Sequence, residues 1–337
     1  MRSFSWPIAC PTVRATTPQR STVRASAAQK PKNLFVFGFG YTGLAAAAYF
    51  QREGSWSISG TCRGEEKRQS LETSGIQAFS FDPDNLLGLS AAGLECLHEA
   101  THILSTVPPN GDFNQDPVLM AHRNVLQRMG GSLEWAGYIS STGVYGGWQG
   151  DWVDESSELR GSSQTATARI QAEAAWSDLH QQAGFPTHIF RLGGIYGPGR
   201  SAIDAAKAKG PASSNQARRS LRRYTSRCHV HDVCRVLHAS MLRPCPGEVY
   251  NIVDDNPASR TEVMAYARRL LSGTEASAET ANLTAELEPM PQQAMDAVEQ
   301  KRVRNSKIKS SFDLDLQYPS FQEGLTAINA GIMLPFQ

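Results

Sequence analysis

Residues 33–43, NLFVFGFGYTG, decide the fold of this chain. The first five form a short, continuous apolar run, which predicts a strand buried on both faces of a parallel sheet. Gly38, Gly40 and Gly43 then give the pattern G-x-G-x-x-G, and the Ala-rich residues 44–52 have high helix propensity. A strand, a glycine turn and a helix in this order predict a dinucleotide-binding unit, because the amides that open the helix would face the phosphates.

Strand-like and helical segments continue to alternate downstream. Helical patterns cover residues 118–129 and 168–182, and the strand-like runs cover residues 56–61, 78–81, 102–107, 135–140 and 187–192. Parallel strands need crossover connections, so the alternation predicts an α/β fold with a Rossmann-like, doubly wound parallel sheet. We expect a dinucleotide-binding core over residues 32–200, interleaved with a lid and a smaller C-terminal substrate region over residues 201–337.

The composition excludes several classes of protein. The 337 residues are 40% hydrophobic, which is enough for a sizeable core and excludes disorder throughout. Lys and Arg number 33 against 32 for Asp and Glu, so no overall basic field would draw the chain onto nucleic acid. No apolar run approaches the roughly 20 residues of a membrane-spanning helix, and we expect no membrane partner. The 6 cysteines contain no C-x-x-C pair, which fits a reducing compartment.

The N-terminus differs from the rest of the chain. Residues 1–52 contain no Asp or Glu, and residues 1–30 combine Arg with Ser and Thr without the apolar run of a secretory signal. This composition predicts a transit peptide over residues 1–31, and the sequence VRAS at 23–26 resembles plastid processing sites. We therefore expect import into the chloroplast. Mitochondrial import, or a disordered basic tail without an address, is the alternative.

The glycine turn also indicates how a cofactor would bind. Its first glycine permits the tight turn, its second lets the backbone approach a pyrophosphate, and its third lets the helix pack closely on the strand. Tyr41 and Thr42 lie between the glycines and belong to the predicted cofactor site. Arg63 stands near the end of the second strand, where NAD-binding proteins carry a carboxylate, so NADP is favoured over NAD. Alternatively, Arg63 belongs to a solvated helix face with Lys67 and Arg68.

Further motifs occur in a fixed order along the chain. After the glycine turn come SSTGVYG at 140–146, RLGGIYGPGR at 191–200, HVHDV at 229–233 and YNIVD at 250–254. Together they resemble the extended short-chain dehydrogenase/reductases of the NAD-dependent epimerase/dehydratase type. KRVRNS at 301–306 and YPSFQEG at 318–324 resemble the closing segments of atypical members. The resemblance covers residues 32–330 and implies a Rossmann-like sheet, a C-terminal substrate region and small-molecule substrates such as nucleotide sugars.

The resemblance also implies an active-site pattern from which this chain departs. Standard members carry a Tyr-x-x-x-Lys pair, in which the Lys lowers the Tyr pKa and the Tyr transfers a proton to or from the substrate oxygen. The equivalent positions here hold Thr165 and Arg169. Arg169 can still hold ribose hydroxyls, whereas Thr is no acid near neutral pH. Ser141 matches the family's serine, which donates a hydrogen bond to the reacting oxygen; alternatively, backbone groups satisfy its hydroxyl.

Tyr145 and Tyr196 are candidate replacements for the missing proton donor. Both stand beside glycines at predicted strand ends, where doubly wound folds form their ligand crevice. Each phenol is a candidate acid and equally a candidate aromatic wall of the pocket. Thr106 follows the fourth strand in a segment that resembles the one passing over the cofactor in this family, so we assign it to the cofactor site.

A cluster of metal-ligand residue types occurs at 228–234, CHVHDVC. The residue types suit zinc, but their spacing does not converge on one tetrahedral site, and the motif at 229–233 already accounts for the segment. We expect no metal here. We expect Asp232 instead to cap the helix that follows.

The polar residues 211–227 predict a mobile loop or lid. They hold a basic cluster made of Arg218, Arg219, Arg222, Arg223 and Arg227. Such a cluster binds phosphates without sequence specificity. It suits a phosphorylated or nucleotide substrate; RNA is a less favoured ligand, and a solvated loop is the third interpretation.

The sequence supports two functional hypotheses. The first is an NADP-dependent reductase or epimerase-like enzyme that acts on a small molecule with an atypical active site. The second is a catalytically silent nucleotide-binding protein, associated with RNA in the plastid.

A fluorescent fusion tests the transit peptide. Residues 1–30 fused ahead of the reporter should direct it into chloroplasts, with cleavage near Ala25, because an acid-free, Arg-rich and Ser-rich segment suits import. Imaging with N-terminal sequencing of the imported product measures both. A reporter that stays in the cytosol contradicts the prediction.

Overall fold

A parallel sheet forms the central layer of the fold. The computed structural model describes residues 31–109, 115–208, 222–273 and 299–337. The strands of this part are β1 (Lys32–Phe37), β2 (Trp56–Cys62), β3 (Gln77–Ser80), β4 (His102–Ser105), β5 (Trp135–Ser141), β6 (Trp152–Val153), β7 (Thr187–Leu192), β8 (Gly194–Tyr196), β9 (Arg227–His229), β10 (Val249–Ile252) and β11 (Arg302–Val303). Within the described residues, seven strands form the sheet in the order β3-β2-β1-β4-β5-β7-β10, while β6 pairs with β11 and β8 with β9.

The order of the sheet determines where a ligand crevice can form. β1 pairs in parallel with β2 on one side and with β4 on the other, so the chain winds outwards from β1 in both directions. This reversal is the switch point at whose carboxyl edge doubly wound folds bind ligands. The predicted fold class is confirmed. Strand β10 pairs with β7, so residues beyond 201 complete the same sheet.

Helices connect and cover these strands. They are α1 (Tyr41–Arg52), α2 (Glu65–Thr73), α3 (Ala91–His98), α4 (Pro117–Met129), α5 (Gln164–Ala183), α6 (Ala202–Lys207), α7 (Val230–Leu242), α8 (Arg260–Ser272), α9 (Ser306–Phe312) and α10 (Phe321–Asn329), with a 3₁₀ turn over Thr142–Tyr145. Helix α5 begins four residues before the predicted start at 168, because the Ser163 hydroxyl accepts a hydrogen bond from Ala166 N and caps the helix. In the described part of the chain, no helix has the length and apolar character needed to cross a membrane.

Strand β1 shows how the two faces of the sheet are buried. Leu34 and Val36 pack in a cluster with apolar residues of α1 and α7. Phe35 and Phe37 pack in a second cluster with residues of α4 and α5. All four side chains are fully buried. A continuous apolar run is therefore required here, because each face of the strand contacts a helical layer.

A buried polar network ties the sheet to α5. Arg191 on β7 forms an ion pair with Glu173 on α5, with Nη2 to Oε2 at 2.7 Å and both side chains 6% exposed. Ser140 Oγ donates to Glu173 Oε1 at 2.5 Å. Arg191 Nη1 also donates to the Tyr145 hydroxyl at 3.0 Å, which in turn donates to Asn251 Oδ1 at 2.8 Å. Three strands, one helix and the 3₁₀ turn are thus joined by charged and polar contacts.

Two expected segments lie wholly or partly outside the described residues. The transit peptide is one of them, apart from Pro31. Of the expected lid, residues 211–221 are outside, and residues 222–226 lead as an irregular segment into β9. The compact unit found for the remainder spans Lys32–Gln337.

Substitution of Glu173 tests the network. Glu173→Ala should lower the free energy of unfolding by about 3–5 kcal/mol, because it leaves the Arg191 charge buried without its partner. Urea unfolding measures this loss. The exposed pair Arg160–Glu158 provides the control, and Glu158→Gln should change stability by less than about 0.5 kcal/mol. Equal small losses in both variants would contradict the prediction.

Candidate functional site

The three glycines of the turn differ in how much space the surrounding protein leaves for a side chain. Gly38 has a φ of 89°, and a Cβ added there would lie 2.9 Å from Val107 Cγ2. A Cβ on Gly43 would lie 2.3 Å from Gly38 O, so only glycine lets α1 pack against the end of β1. A Cβ on Gly40 would meet nothing within 4 Å. The protein itself does not require glycine at that position, and the open space fits the close approach of a pyrophosphate.

Neighbouring strand ends hold the turn in place. Gly38 N donates to Thr61 Oγ1 at 2.8 Å, and Phe39 N donates to Thr61 O at 2.8 Å. From the other side, Thr106 Oγ1 donates to Gly38 O at 2.5 Å. Gly40 supplies no side-chain cap to α1, and the first turn of α1 carries no acidic residue. The start of the helix is therefore suited to an anion.

Tyr41 links the turn to the segment after β8. Its hydroxyl donates to Pro198 O at 3.0 Å. The Arg200 guanidinium lies 5.3 Å from the Tyr41 ring centre, and the Phe336 ring lies 5.6 Å from it. Burial raises the pKa of the Tyr41 phenol. Tyr41 therefore positions the glycine turn.

A cleft of about 870 Å³ follows the carboxyl ends of the central strands, within the size range of small-molecule sites. Thr42 and Thr106 line it beside the glycine turn. Ser141 and Arg169 line it after β5, and residues 192–196 line it after β7. The cleft thus joins two of the predicted cofactor residues to three of the predicted catalytic residues, Ser141, Arg169 and Tyr196.

The lining of this cleft is strongly basic. Its cationic residues are Arg169, Arg200, Arg222, Arg227, Arg260 and Lys301. Its acidic residues are Asp204 and Glu299, and the Asp204 carboxylate is bonded to Ser201 at the start of α6. An excess of cations over carboxylates favours anionic ligands.

The structure brings Ser141 and Arg169 to the cleft and leaves Thr165 outside its lining. Ser141 Oγ accepts a hydrogen bond from Gly143 N at 3.1 Å, an arrangement that leaves its hydroxyl hydrogen available to a ligand. Arg169 Nη1 donates to Ile139 O at 3.4 Å and is half-buried. Thr165 is exposed at the start of α5. Thr165 therefore cannot act as an acid in the cleft.

The two candidate tyrosines occupy different places. Tyr145 is fully buried in the polar network and does not line the cleft, because its hydroxyl is bonded to Arg191 and Asn251. Burial raises the pKa of Tyr145 to about 12. Tyr196 lines the cleft, but its hydroxyl donates to Ser320 O at 3.2 Å. Burial also raises the pKa of Tyr196 well above its usual value.

Arg63 lies on the surface just beyond β2. Its side chain is 61% exposed and contacts Asp84, itself 58% exposed, at 3.4 Å. An exposed ion pair of this kind contributes little, so the guanidinium can turn towards a phosphate. Arg68 differs, because it is bonded to Glu65 and Glu72 within α2. The three basic residues of this segment therefore do not form one equivalent face.

Lys301 is a cleft residue that sequence reasoning did not single out. Its Nζ donates at 2.8 Å to the O atom of Gly146, the last residue of the SSTGVYG segment. Burial, aided by the charge of Arg222, lowers the pKa of Lys301 to about 8, while Glu299 acts in the opposite direction. No spacing rule connects residue 301 to Ser141. The only signal was the closing motif, in which this lysine comes first.

The arginines of the expected lid do not form one surface within the described part of the chain. Arg218 and Arg219 lie outside the described residues. Arg222 lines the cleft, and Arg223 is exposed. Arg227 is half-buried and donates to two backbone carbonyl groups.

The residues at 228–234 serve packing. Among the described residues, no group of three or more His, Cys, Asp or Glu side chains could hold a metal ion. The prediction that Asp232 caps α7 is wrong, because His229 is the cap and accepts from His231 N. The buried Asp232 carboxylate instead accepts from Gln317 N at 2.7 Å and Tyr318 N at 2.8 Å. It fixes the C-terminal segment, which local spacing could not reveal.

Comparison with known proteins identifies relatives along most of the chain. No protein-family model matches it. The Protein YeeZ of Escherichia coli K12 is 24% identical over 302 residues, which cover 86% of this chain and 97% of that protein. A functionally unknown conserved protein from Silicibacter pomeroyi DSS is 32% identical. Its solved structure matches with a TM-score of 0.71 over 89% of this chain and 99% of that chain.

More distant structures share the fold. The dTDP-glucose 4,6-dehydratase of Bacillus anthracis, solved in complex with NAD, is 17% identical. It matches with a TM-score of 0.66 over 91% of this chain and 100% of that chain. Other solved structures with this fold are named as a putative NAD-dependent epimerase/dehydratase and a UDP-glucuronic acid 4-epimerase in complex with NAD.

Two glycine variants separate folding from cofactor binding. Gly40→Ala should leave stability within about 0.5 kcal/mol, because its Cβ meets no protein atom, yet weaken NADPH binding at least about tenfold by filling the space for the pyrophosphate. Gly43→Ala should destabilise the fold by about 1–3 kcal/mol through the clash with Gly38 O. Chemical unfolding and NADPH titration measure the two effects. Undiminished NADPH binding by Gly40→Ala is the contrary result.

Proposed function

Because the chain belongs to the same family as the conserved protein of Silicibacter pomeroyi and has the fold of NAD-dependent epimerases and dehydratases, we propose that it is a nicotinamide-dinucleotide-binding oxidoreductase or epimerase-like enzyme. The observation that carries this proposal is the turn at Gly38, Gly40 and Gly43, where two glycines are required by the protein and Gly40 opens onto free space. A turn kept only for packing would not need the second glycine.

The residues of the turn fit the cofactor. Thr42 and the first amides of α1 would hold the pyrophosphate, and Arg63 would hold the 2′-phosphate of NADP. Thr106 would shape the passage towards the reacting end. The bound nicotinamide supplies or accepts hydride, which none of these side chains can do.

The proposed substrate is an anionic small molecule. The cationic lining described above gives the cleft more positive groups than the two carboxylates can balance. Arg222 and Arg260 line the cleft from the part of the chain beyond residue 201, whereas Thr42 and Thr106 line it beside the glycine turn. Phosphates of a nucleotide sugar would suit these guanidinium groups, as the names of the dTDP-glucose dehydratase and UDP-glucuronic acid epimerase suggest for those proteins.

Two side chains would act near the reacting groups, one on the substrate and one on the cofactor. Ser141 can donate its hydroxyl hydrogen to the reacting oxygen, since its oxygen already accepts from Gly143 N. Arg169 can hold the ribose of the cofactor near this point, because it lines the cleft one helical turn beyond Thr165. We propose that the usual Tyr-x-x-x-Lys pair is lost and that the proton comes from another group.

A screen tests the proposed activity. The unaltered protein should bind NADPH, measured by fluorescence titration, and should consume NADPH or convert an epimer when offered nucleotide sugars and phosphorylated carbonyl compounds. NADPH binding without any turnover would favour the silent nucleotide-binding protein instead. The absence of NADPH or NADH binding would overturn both hypotheses. We further propose that the enzyme works in the plastid, as the acid-free N-terminus predicts.

Cofactor preference gives a sharper test. NADPH should bind about 5- to 30-fold more tightly than NADH, because a charge-assisted contact from Arg63 contributes about 1–2 kcal/mol. Arg63→Ala should abolish this difference. Arg68→Ala is the matched control, since Arg68 is held by Glu65 and Glu72, and it should retain the preference. Calorimetry at fixed salt measures all affinities. Equal affinities in the unaltered protein would remove the argument for NADP.

A further inference from the structure

Lys301 lies in the cleft without an acidic partner. Its nitrogen donates to Gly146 O, and no carboxylate lies within ion-pairing distance of it in the part of the chain that the structure describes. The other lysines of the same tail differ. Lys307 is paired with Glu248 at 2.6 Å and Lys309 with Asp255 at 2.7 Å. A half-buried amine without a carboxylate partner has a desolvation cost, which its hydrogen bond to Gly146 O offsets only in part, so an anionic or polar ligand would be a favourable partner for it.

The position of Lys301 is fixed by backbone contacts around it. Trp148 N and Gly150 N both donate to Gln300 O, at 3.0 and 3.1 Å. Strand β11 begins at the next residue and pairs with β6, with Arg302 N donating to Asp151 O at 2.9 Å. The amine is therefore held beside the segment that follows Ser141. Its position is set by this hydrogen-bonded backbone and not by an unattached C-terminal segment.

The side chains considered above as replacement or family acids are committed elsewhere or lie outside the cleft. The Tyr145 phenol is buried in the polar network, and the Tyr196 hydroxyl donates to Ser320 O. Thr165 lies on the surface. Tyr224 also lines the cleft, where its ring packs against Arg302 at 4.9 Å from the ring centre. Among the described cleft residues, Lys301 thus supplies an amine that can transfer a proton. Tyr224 is the other cleft side chain whose role in proton transfer has to be tested.

We propose that Lys301 is the proton-transfer residue of the cleft, replacing the family's tyrosine at the substrate oxygen. The inference rests on the proposed function. In the reduction of a carbonyl group, the carbon receives hydride from the reduced nicotinamide and the C=O π electrons move to oxygen. That oxygen takes a proton from the Lys301 ammonium, and the neutral amine regains its proton from water. Oxidation of an alcohol runs the same steps in reverse.

The surroundings support this assignment. Burial and Arg222 lower the pKa of Lys301 to about 8, and Glu299 partly opposes them. A donor with a pKa near the working pH can both give and take a proton. Ordinary lysines, with a pKa near 10.4, hold theirs too strongly to serve as a base at neutral pH.

Amine labelling tests the proposal without knowledge of the substrate. The full-length protein is treated with limiting pyridoxal 5′-phosphate, whose aldehyde reacts with neutral amines, then reduced with borohydride and mapped by peptide mass. At pH 7 Lys301 should carry on the order of 10²-fold more neutral amine than an ordinary lysine and should be labelled first. Its labelling rate should rise with a midpoint near pH 8, and Lys309, which is paired with Asp255, is the reference lysine for the rate measured at pH 7. Saturating NADP should slow labelling of Lys301.

The outcomes separate this inference from the proposed function. NADP binding is measured on the same sample by calorimetry, and its failure would overturn the proposed function together with this step. If NADP binds but Lys301 labels like Lys309, or if bound NADP leaves the Lys301 rate unchanged, only the role of Lys301 is overturned.

Turnover provides the second test, using the carbonyl substrate that the screen identifies. Lys301→Met should lower kcat by about 10²- to 10⁴-fold while NADPH affinity changes less than about threefold. Lys309→Met is the matched control and should retain kcat, since Lys309 is paired with Asp255 away from the cleft lining. Unaltered kcat in Lys301→Met, or an equal loss in Tyr224→Phe with a normal Lys301 labelling midpoint, would overturn the proposal.

Discussion

The buried ion pair between Glu173 and Arg191 is the constraint on which the candidate site depends. Bringing these two charges out of water is costly, and the cost is offset because the two groups bond to each other, Ser140 donates to Glu173 and Arg191 donates to Tyr145. The pair joins α5 to β7, and through Ser140 it fixes the end of β5. Ser141 is the next residue, so the buried contact between Ser140 and Glu173 fixes the position of Ser141 in the cleft.

The same network extends to the C-terminal tail. Asn251 accepts from Tyr145 through its side-chain oxygen and donates from its side-chain nitrogen to Arg304 O at 3.3 Å. Arg304 lies three residues after Lys301, in the segment whose position is fixed by the pairing of β11 with β6. Ser141 and Lys301 are therefore set by one connected structure, although 160 positions separate them in the sequence. This explains why Tyr145 is buried: its phenol is a structural link between Arg191 and Asn251, and a role at the substrate would break that link.

The features that could be predicted from the sequence depend on residues close together in the chain. The apolar run before Gly38, the glycine spacing and the strand–helix alternation each act within a few residues, and the sheet confirms them. The placement of Ser141 beside the cleft also follows from a strand end, because parallel strands finish at one edge, whereas Arg169 followed from the position of the family's lysine. The direction of the Tyr145 ring could not be predicted, since it depends on Arg191 from another strand. Lys301 was missed for a similar reason, because its place depends on a two-residue strand pairing with β6 that carries no periodic signal.

The charges of the cleft connect substrate binding with proton transfer. Burial lowers the pKa of Lys301, and Arg222 lowers it further because two cations close together repel. An anionic substrate placed between them would offset that repulsion and favour the charged amine, so its binding would raise the pKa of Lys301. The amine would then be protonated when a substrate oxygen is present to accept the proton. Departure of the anionic product would lower the pKa again and return the residue to its starting state. The cations would also lower the pKa of a buried tyrosine in the same position, because they would stabilise its phenolate. A basic cleft with lysine as its acid is therefore a self-consistent alternative to the tyrosine and lysine pair.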